Sequence, residues 1–320
     1  GIEPQRLQDS TDAESGAARG QECRLMELWR TAANPWGQDV LIGVSWDLMW
    51  LALIGAVVFT VGHAVWFKVR GFTKEETAVE PAQAAGVPER VVRHTLAARL
   101  FHWTMAASML VLLVTAFVPV IGIQFPWVTI HWIAGVVLIL TIVYHVIHSI
   151  GWQDFWSMMS MGAKDAREGI AHLKHVLSSN APEPEKPGKY PFDHRMYHHA
   201  IVVVSLAAMI TGGLMMLRVQ TPFWAPNTYL FEDSTWGVMY VIHGLSGVSL
   251  ITMVAAHIYF ALRPDKRWFT WAMIRGWVDR DQYLAHFDTT KWSVTDGSEA
   301  PGAGGGAIAD AAVSARREDD

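Results

Sequence analysis

The sequence predicts an all-α integral membrane protein: a four-helix transmembrane bundle with one extra transmembrane helix on its N-terminal side. Three observations predict it. Residues 48–67, 100–153, 196–217 and 234–262 contain no Asp, Glu, Lys or Arg, and because a span needs about 20 apolar residues these stretches hold five helices. The 16 tryptophans gather near the ends of the apolar runs, as the aromatic belts at a membrane interface require. Two histidine pairs, His131/His145 and His243/His257, repeat one separation inside two different apolar segments.

The elements follow in chain order. The chain starts at Gly1 without methionine and shows no charged-then-apolar leader, so the expectation is that a signal peptide has been removed and that residues 1–42 form a periplasmic segment. The extra helix covers 43–67 and a cytoplasmic linker covers 68–97. Residues 100–153 are too long for one helix, and Pro119-Val-Ile-Gly-Ile-Gln-Phe-Pro126 supplies the turn that divides them into helices at 98–119 and 127–150. Residues 153–179 read either as an interfacial helix, with Trp156, Met158 and Leu173 apolar and Lys164, Arg167 and Lys174 polar, or as a solvated amphipathic connector. Helices at 197–217 and 237–262 complete a four-helix domain over 98–265. Residues 266–320 form a cytoplasmic C-terminal segment, and its tail from Gly297, rich in Gly, Ala, Asp and Glu, is expected to have no fixed structure.

Basic residues give the orientation. Lys68, Arg70, Lys74, Arg90, Arg93 and Arg99 lie between the first two helices, Lys164, Arg167, Lys174, Lys186, Lys189 and Arg195 between the third and fourth, and Arg263, Lys266 and Arg267 after the fifth. The opposite loops carry almost none apart from Arg218. By the positive-inside rule the N-terminus is periplasmic and the C-terminus cytoplasmic, in a bacterial inner membrane.

Composition excludes several chemistries. With Cys23 as the single cysteine there is no intrachain disulfide, no four-thiolate iron-sulfur cluster and no covalent attachment of a c-type haem. A net charge of −5 argues against nucleic acid as a partner, and no phosphate loop or nucleophile constellation is evident.

The histidines carry the chemistry. The separation within each pair amounts to roughly 21 Å and almost four turns, so both members face the same way near opposite sides of a bilayer. Gly135 and Gly247 follow His131 and His243 by one turn and would let a flat macrocycle lie close to the helix. This is the pattern of a haem-binding bundle with two stacked haems. Sorted by depth, His131 and His243 form a periplasmic layer, while the cytoplasmic layer holds His257 opposite either His102 or His145. Ionisable groups inside a membrane are costly and usually functional.

Arg99-Leu-Phe-His102-Trp103, Ile130-His131-Trp-Ile-Ala-Gly135, Lys189-Tyr190, and His243-Gly-Leu-Ser-Gly247 through His257-Ile-Tyr-Phe-Ala261 resemble the cytochrome b (gamma) subunit of respiratory formate dehydrogenases, over roughly residues 94–265. The resemblance implies two b haems, with His131 and His243 as axial ligands of the periplasmic haem iron and His102 and His257 of the cytoplasmic one. It thereby prefers His102 to His145. His145, His148 and His63 are then hydrogen-bond donors to the groups around the haems, propionate contacts or buried hydrogen-bonded histidines. The family's quinone pocket lies beside the cytoplasmic haem, where this chain has Tyr190, Asp193, His194 and His198; Pro191 and the Asp193-His194 pair depart from the family's Asn and Gly-Gln. A carboxylate and imidazoles there could relay protons to a reduced quinone. Arg99, Arg263 and Lys266 are placed for the haem propionates or as positive-inside anchors.

The implied function is electron transfer from a periplasmic iron-sulfur (beta) subunit, itself served by a molybdenum or tungsten catalytic (alpha) subunit, through two haems to the quinone pool. The chain would be a non-catalytic subunit carrying the quinone site. Alternatives are the cytochrome b subunit of a nickel-iron hydrogenase or of another molybdenum enzyme such as thiosulfate reductase, and, in a different class, a haem-free anchor or a proton-conducting transporter. A higher oligomer of the complex is compatible with the sequence, since lipid-facing and subunit-facing helices look alike.

Overall fold

Long apolar segments, each closed by a proline, glycine or capping hydroxyl, set the architecture. The computed structural model describes residues 28–70, 86–153, 155–177, 182 and 185–294; Cys23, most of the 1–42 segment, Lys74 and the tail from Gly297 lie outside them. Five helices are long and apolar enough to cross a membrane. Helix α1 (Trp46–Arg70) starts with the Ser45 hydroxyl accepting the Asp47 N–H at 3.2 Å. Helix α2 (Leu96–Phe117) is capped by Thr95, whose side chain accepts the Ala98 N–H at 3.2 Å. A 3-10 turn (Val118–Ile121) ends at Gly122, whose φ of 88° suits glycine, and Pro126 precedes α3 (Trp127–Trp152). Two short helices follow, α4 (Phe155–Met159) and α5 (Ala163–Leu177). Helix α6 (Phe192–Met215) then runs into a 3-10 turn (Met216–Arg218), and α7 (Asp233–Leu262) returns.

The spans agree with the expected helices in number and order, and differ at their ends. Helix α6 begins at Phe192, five residues before the expected 197, so Asp193 and His194, expected ahead of the helix, stand with His198 on its first two turns. A charge-free window locates only the membrane-embedded part of a helix. Asp193 suits the positive end of the dipole, while Arg195 pairs with Asp165 and donates to the Ser160 carbonyl at 3.0 Å. Helix α7 likewise starts at Asp233 and not at 237.

The bundle consists of two antiparallel hairpins, α2–α3 and α6–α7. At mid-height Met109, Leu138 and Leu250 are buried, with Met105, Leu112, Ile142, Ile201 and Val254 packed around them. Helix α1 lies outside, against α7. Outward-facing Ile54, Val58, Leu140, Ile147 and Leu206 are exposed, as a lipid-facing surface requires. Within the 153–179 segment Phe155–Met159 and Ala163–Leu177 are helical, with Ile170, Leu173 and Trp156 exposed.

Each end carries a structure that the sequence reading did not anticipate. At one end, called here the hairpin end, β1 (Trp29–Ala33) and β2 (Asp39–Val44) form an antiparallel pair. Its turn is held by the Asn34 side-chain oxygen, which accepts the N–H groups of Trp36 and Gln38. Strand β2 lies on α7 where glycines permit close approach: a Cβ at Gly237 or Gly244 would come within 2.8 Å of the Leu41 or Val44 side chain. At the other end, the cap end, β3 (Arg90–Val92) pairs antiparallel with β4 (Trp277–Asp279). Helix α8 (Arg267–Arg275) and helix α9 (Arg280–His286) close over this pair. Val91, Ala272, Val278, Tyr283, Leu284 and Phe287 form a small buried core there.

Candidate haem-binding site

Helices α2 and α3 each bring one histidine toward the bundle axis and α7 brings two, and the histidines meet in two opposed pairs. At the hairpin end the rings of His131 (α3) and His243 (α7) have centres 6.2 Å apart. At the cap end His102 (α2) and His257 (α7) stand 6.3 Å apart. An iron between two imidazole nitrogens, each at the usual distance of about 2 Å for first-row metals, would separate the ring centres by about 6 Å. Among the described residues no group of three or more His, Cys, Asp or Glu side chains could hold a bare metal ion. Two opposed imidazoles supply only the axial positions of a haem, whose macrocycle provides the others.

Hydrogen bonds at the hairpin end fix which ring nitrogen carries the proton. The Thr115 hydroxyl donates to the Val111 carbonyl at 2.7 Å and lies 2.8 Å from Nδ1 of His131. With its proton used toward the carbonyl, the hydroxyl accepts from Nδ1–H. His243 repeats the arrangement. Its Nδ1 lies 3.1 Å from the Ala208 carbonyl, which can only accept, and 3.2 Å from the Thr211 hydroxyl, which itself donates to Ala207 at 2.7 Å. Both rings therefore carry their proton on Nδ1 and leave the lone pair on Nε2. Thr115 and Thr211 are 2% and 6% exposed, and each lies on the helix that precedes its histidine's helix. Gly212 admits the His243 ring, since a Cβ there would come 3.0 Å from its Cε1. A Cβ on Gly247 would meet nothing within 4 Å, and one on Gly135 only Leu112 at 3.9 Å, so space for a flat group lies beside both.

At the cap end the rings are held by aromatic contacts. Trp103 stands edge-on to His102 at 5.3 Å, and Tyr197 stacks on His257 at 5.4 Å while its hydroxyl donates to the Met253 carbonyl at 3.3 Å. Of the two candidates for the partner of His257, His102 faces it. His145 is covered by Phe101, stacked at 3.8 Å, with Ser149 beside it. His148 stacks between Tyr144 and Trp152. His63 contacts the Tyr259 hydroxyl at 2.9 Å, which joins α1 to α7.

The remaining candidates fall into separate surroundings. Arg99 donates from Nη1 to the Ile274 carbonyl at 2.8 Å and keeps a buried Nε without a partner, a donor suited to a carboxylate. Arg263 is taken up by a two-point pair with Asp265 and by stacking 3.9 Å over Phe67. Lys266 lies 5.7 Å over the Phe269 ring. Tyr190 has the Lys189 ammonium 5.3 Å over its ring. His194 meets Phe269 edge-on at 5.1 Å, Asp193 is exposed, and His198 has a buried Nδ1 without a partner and stands 6.2 Å from His199. These four stand near the start of α6.

Thr115, Thr211, Gly212, Tyr197, Arg93 and His94 were not singled out as site residues from sequence. The threonines give no linear signal, since a helical threonine commonly bonds the carbonyl four residues back. Arg93 was counted only as a positive charge. It is buried over Phe269, Phe287 and Trp292 at 4.9, 5.0 and 5.5 Å, and burial lowers its pKa to about 10.

A comparison with protein families matches residues 93–276 to the prokaryotic cytochrome b561 model. No curated protein sequence matches the chain. The matched range begins beside β3, contains all four helices of the bundle and ends after α8, and so covers both histidine pairs. The chain belongs to the prokaryotic cytochrome b561 family and is an integral membrane cytochrome b that binds haem b and transfers electrons.

Proposed function

We propose that this chain is the di-haem membrane subunit of a periplasm-facing formate dehydrogenase, delivering electrons from an iron-sulfur subunit to quinone at the cytoplasmic side. The observation that carries the two-haem reading is the presence of two opposed histidine pairs, 6.2 and 6.3 Å between ring centres, at opposite ends of one bundle. His131 with His243, and His102 with His257, would each hold one b haem, and bound haem supplies one-electron transfer at each site. The formate specificity is supported by the resemblance of the segments around His102, His131, His243 and His257 to the gamma subunit of formate dehydrogenases.

The orientation is supported by charge. Arg90, Arg93, Arg99, Lys186, Lys189, Arg195, Arg263, Lys266, Arg267, Arg275, Arg280 and Lys291 all stand at the cap end, against Arg30 and Arg218 at the hairpin end among the described residues, so the cap end is cytoplasmic. An iron-sulfur partner with its molybdenum or tungsten subunit would then dock at the hairpin end. Quinone would be reduced near Tyr190, Asp193, His194 and His198, where imidazoles and a carboxylate at the aqueous surface can pass protons inward.

The test is the electron donor. In anaerobic membranes containing the intact complex, formate is expected to reduce the b haems and hydrogen is not. Reduction by hydrogen alone would assign the chain to a hydrogenase, and reduction by neither would remove both donors.

A further inference from the structure

We propose that Thr115 and Thr211 are positioning residues that lock the hairpin-end histidines with their proton on Nδ1, and that they make the hairpin-end haem the lower-potential of the two centres. This rests on the two-haem reading above and adds an order along the bundle. The argument is the contrast between the two pairs. At the hairpin end both histidines give their Nδ1 proton to an oxygen, 2.8 Å away for His131 and 3.1 to 3.2 Å for His243. At the cap end, among the described residues, no ring nitrogen of His102 or His257 has a hydrogen-bond partner; their neighbours are the rings of Trp103 and Tyr197.

An imidazole that donates from Nδ1 becomes a more basic ligand through Nε2. A more basic axial ligand favours ferric over ferrous iron, which lowers the midpoint potential. Two such bonds act on one site and none on the other, so an electron entering at the hairpin end runs downhill toward the cap end. Other buried hydroxyls do not share the role. Ser108 and Ser246 bond only the carbonyl four residues back, and Ser149 serves His145. The device is built twice, once in each helix hairpin, with a threonine on the first helix and its histidine on the second.

The experiment is a redox titration of the full-length chain in detergent, followed by optical spectra, for wild type, Thr115→Val, Thr211→Val, the double variant and the matching Thr→Ser variants. The hairpin-end centre is identified as the one missing from His243→Ala. Its midpoint is expected to be the lower in wild type, to rise in Thr115→Val, to rise by less in Thr211→Val because the Ala208 carbonyl still accepts from His243, to rise furthest in the double variant, and to return in the serine variants, while the other midpoint stays in place. Loss of haem in the valine variants with normal haem in the serine variants would support the same role, because only the hydroxyl differs in kind. Unmoved midpoints with both haems retained, or a hairpin-end centre with the higher potential, would overturn the proposal, as would haem loss in valine and serine variants alike. A wild-type chain purified without haem would instead sink the two-haem reading itself, and no midpoint would exist to compare.

Discussion

His94 sits at the cap end just before α2, and burial is the first reason its imidazole is held down to about 3, with Arg93, Lys189, His102 and Arg99 adding to the effect. The unfolded chain titrates this group near 6.5 and so binds a proton that the folded chain refuses between those values. Stability from a neutral His94 is therefore complete above about pH 6.5 and is lost progressively as pH falls toward about 3. The unfolding midpoint of the purified protein is expected to drop between about pH 7.5 and about pH 5.5, and to drop less in His94→Gln; an equal drop in the variant would refute the assignment. The four central histidines make a second prediction at this scale. Alanine at His131 or His243 is expected to remove one haem and leave the other, and alanine at His102 or His257 to do the reverse, read from haem per protein and the reduced spectrum. Spacing alone could not choose between His102 and His145, because both stand at the same depth; Phe101 stacked on His145 makes the choice in space.

The elements differ in how far the sequence disclosed them. Five helices were legible because a bilayer imposes a length and forbids unpaired charge, two demands that appear directly in composition. Helix ends were less so: the amphipathic start of α6 extends past the apolar core, where charges are tolerated. The strands escaped because three to six residues give too little alternation to read, and Val91 finds its partner Val278 far along the chain. Strand β2 on α7 gives a test of element packing. Gly237→Val would drive a side chain against Leu41, its Cβ 2.8 Å from the Leu41 Cβ and 2.9 Å from the carbonyl oxygen, and overpacking of this kind costs about 1–3 kcal/mol. A lower thermal midpoint with an unchanged haem spectrum is expected; an unchanged midpoint would show that the hairpin does not bear on α7 in the membrane protein.

The whole molecule joins a lipid-facing bundle, whose apolar mid-height core separates two histidine pairs, to a cap with a core of the soluble kind. Arg93 links the two. Its guanidinium lies among Phe269, Phe287 and Trp292 and donates to the Lys189 carbonyl at 3.0 Å, next to the start of α6. Phe287→Ala is expected to cost about 3–5 kcal/mol of cap stability, as for a large core aromatic, and to make the segment after α7 sensitive to protease while the bundle retains its haem spectrum. Simultaneous haem loss would mean that cap and bundle fold as one unit. The central claim, however, is that one bundle holds two haems at opposite ends. The measurement that tests it most directly is haem per polypeptide from the pyridine haemochrome spectrum of the purified chain. Two b haems per chain are predicted by the paired histidines; a single haem would mean that one pair binds none, and no haem would contradict the account.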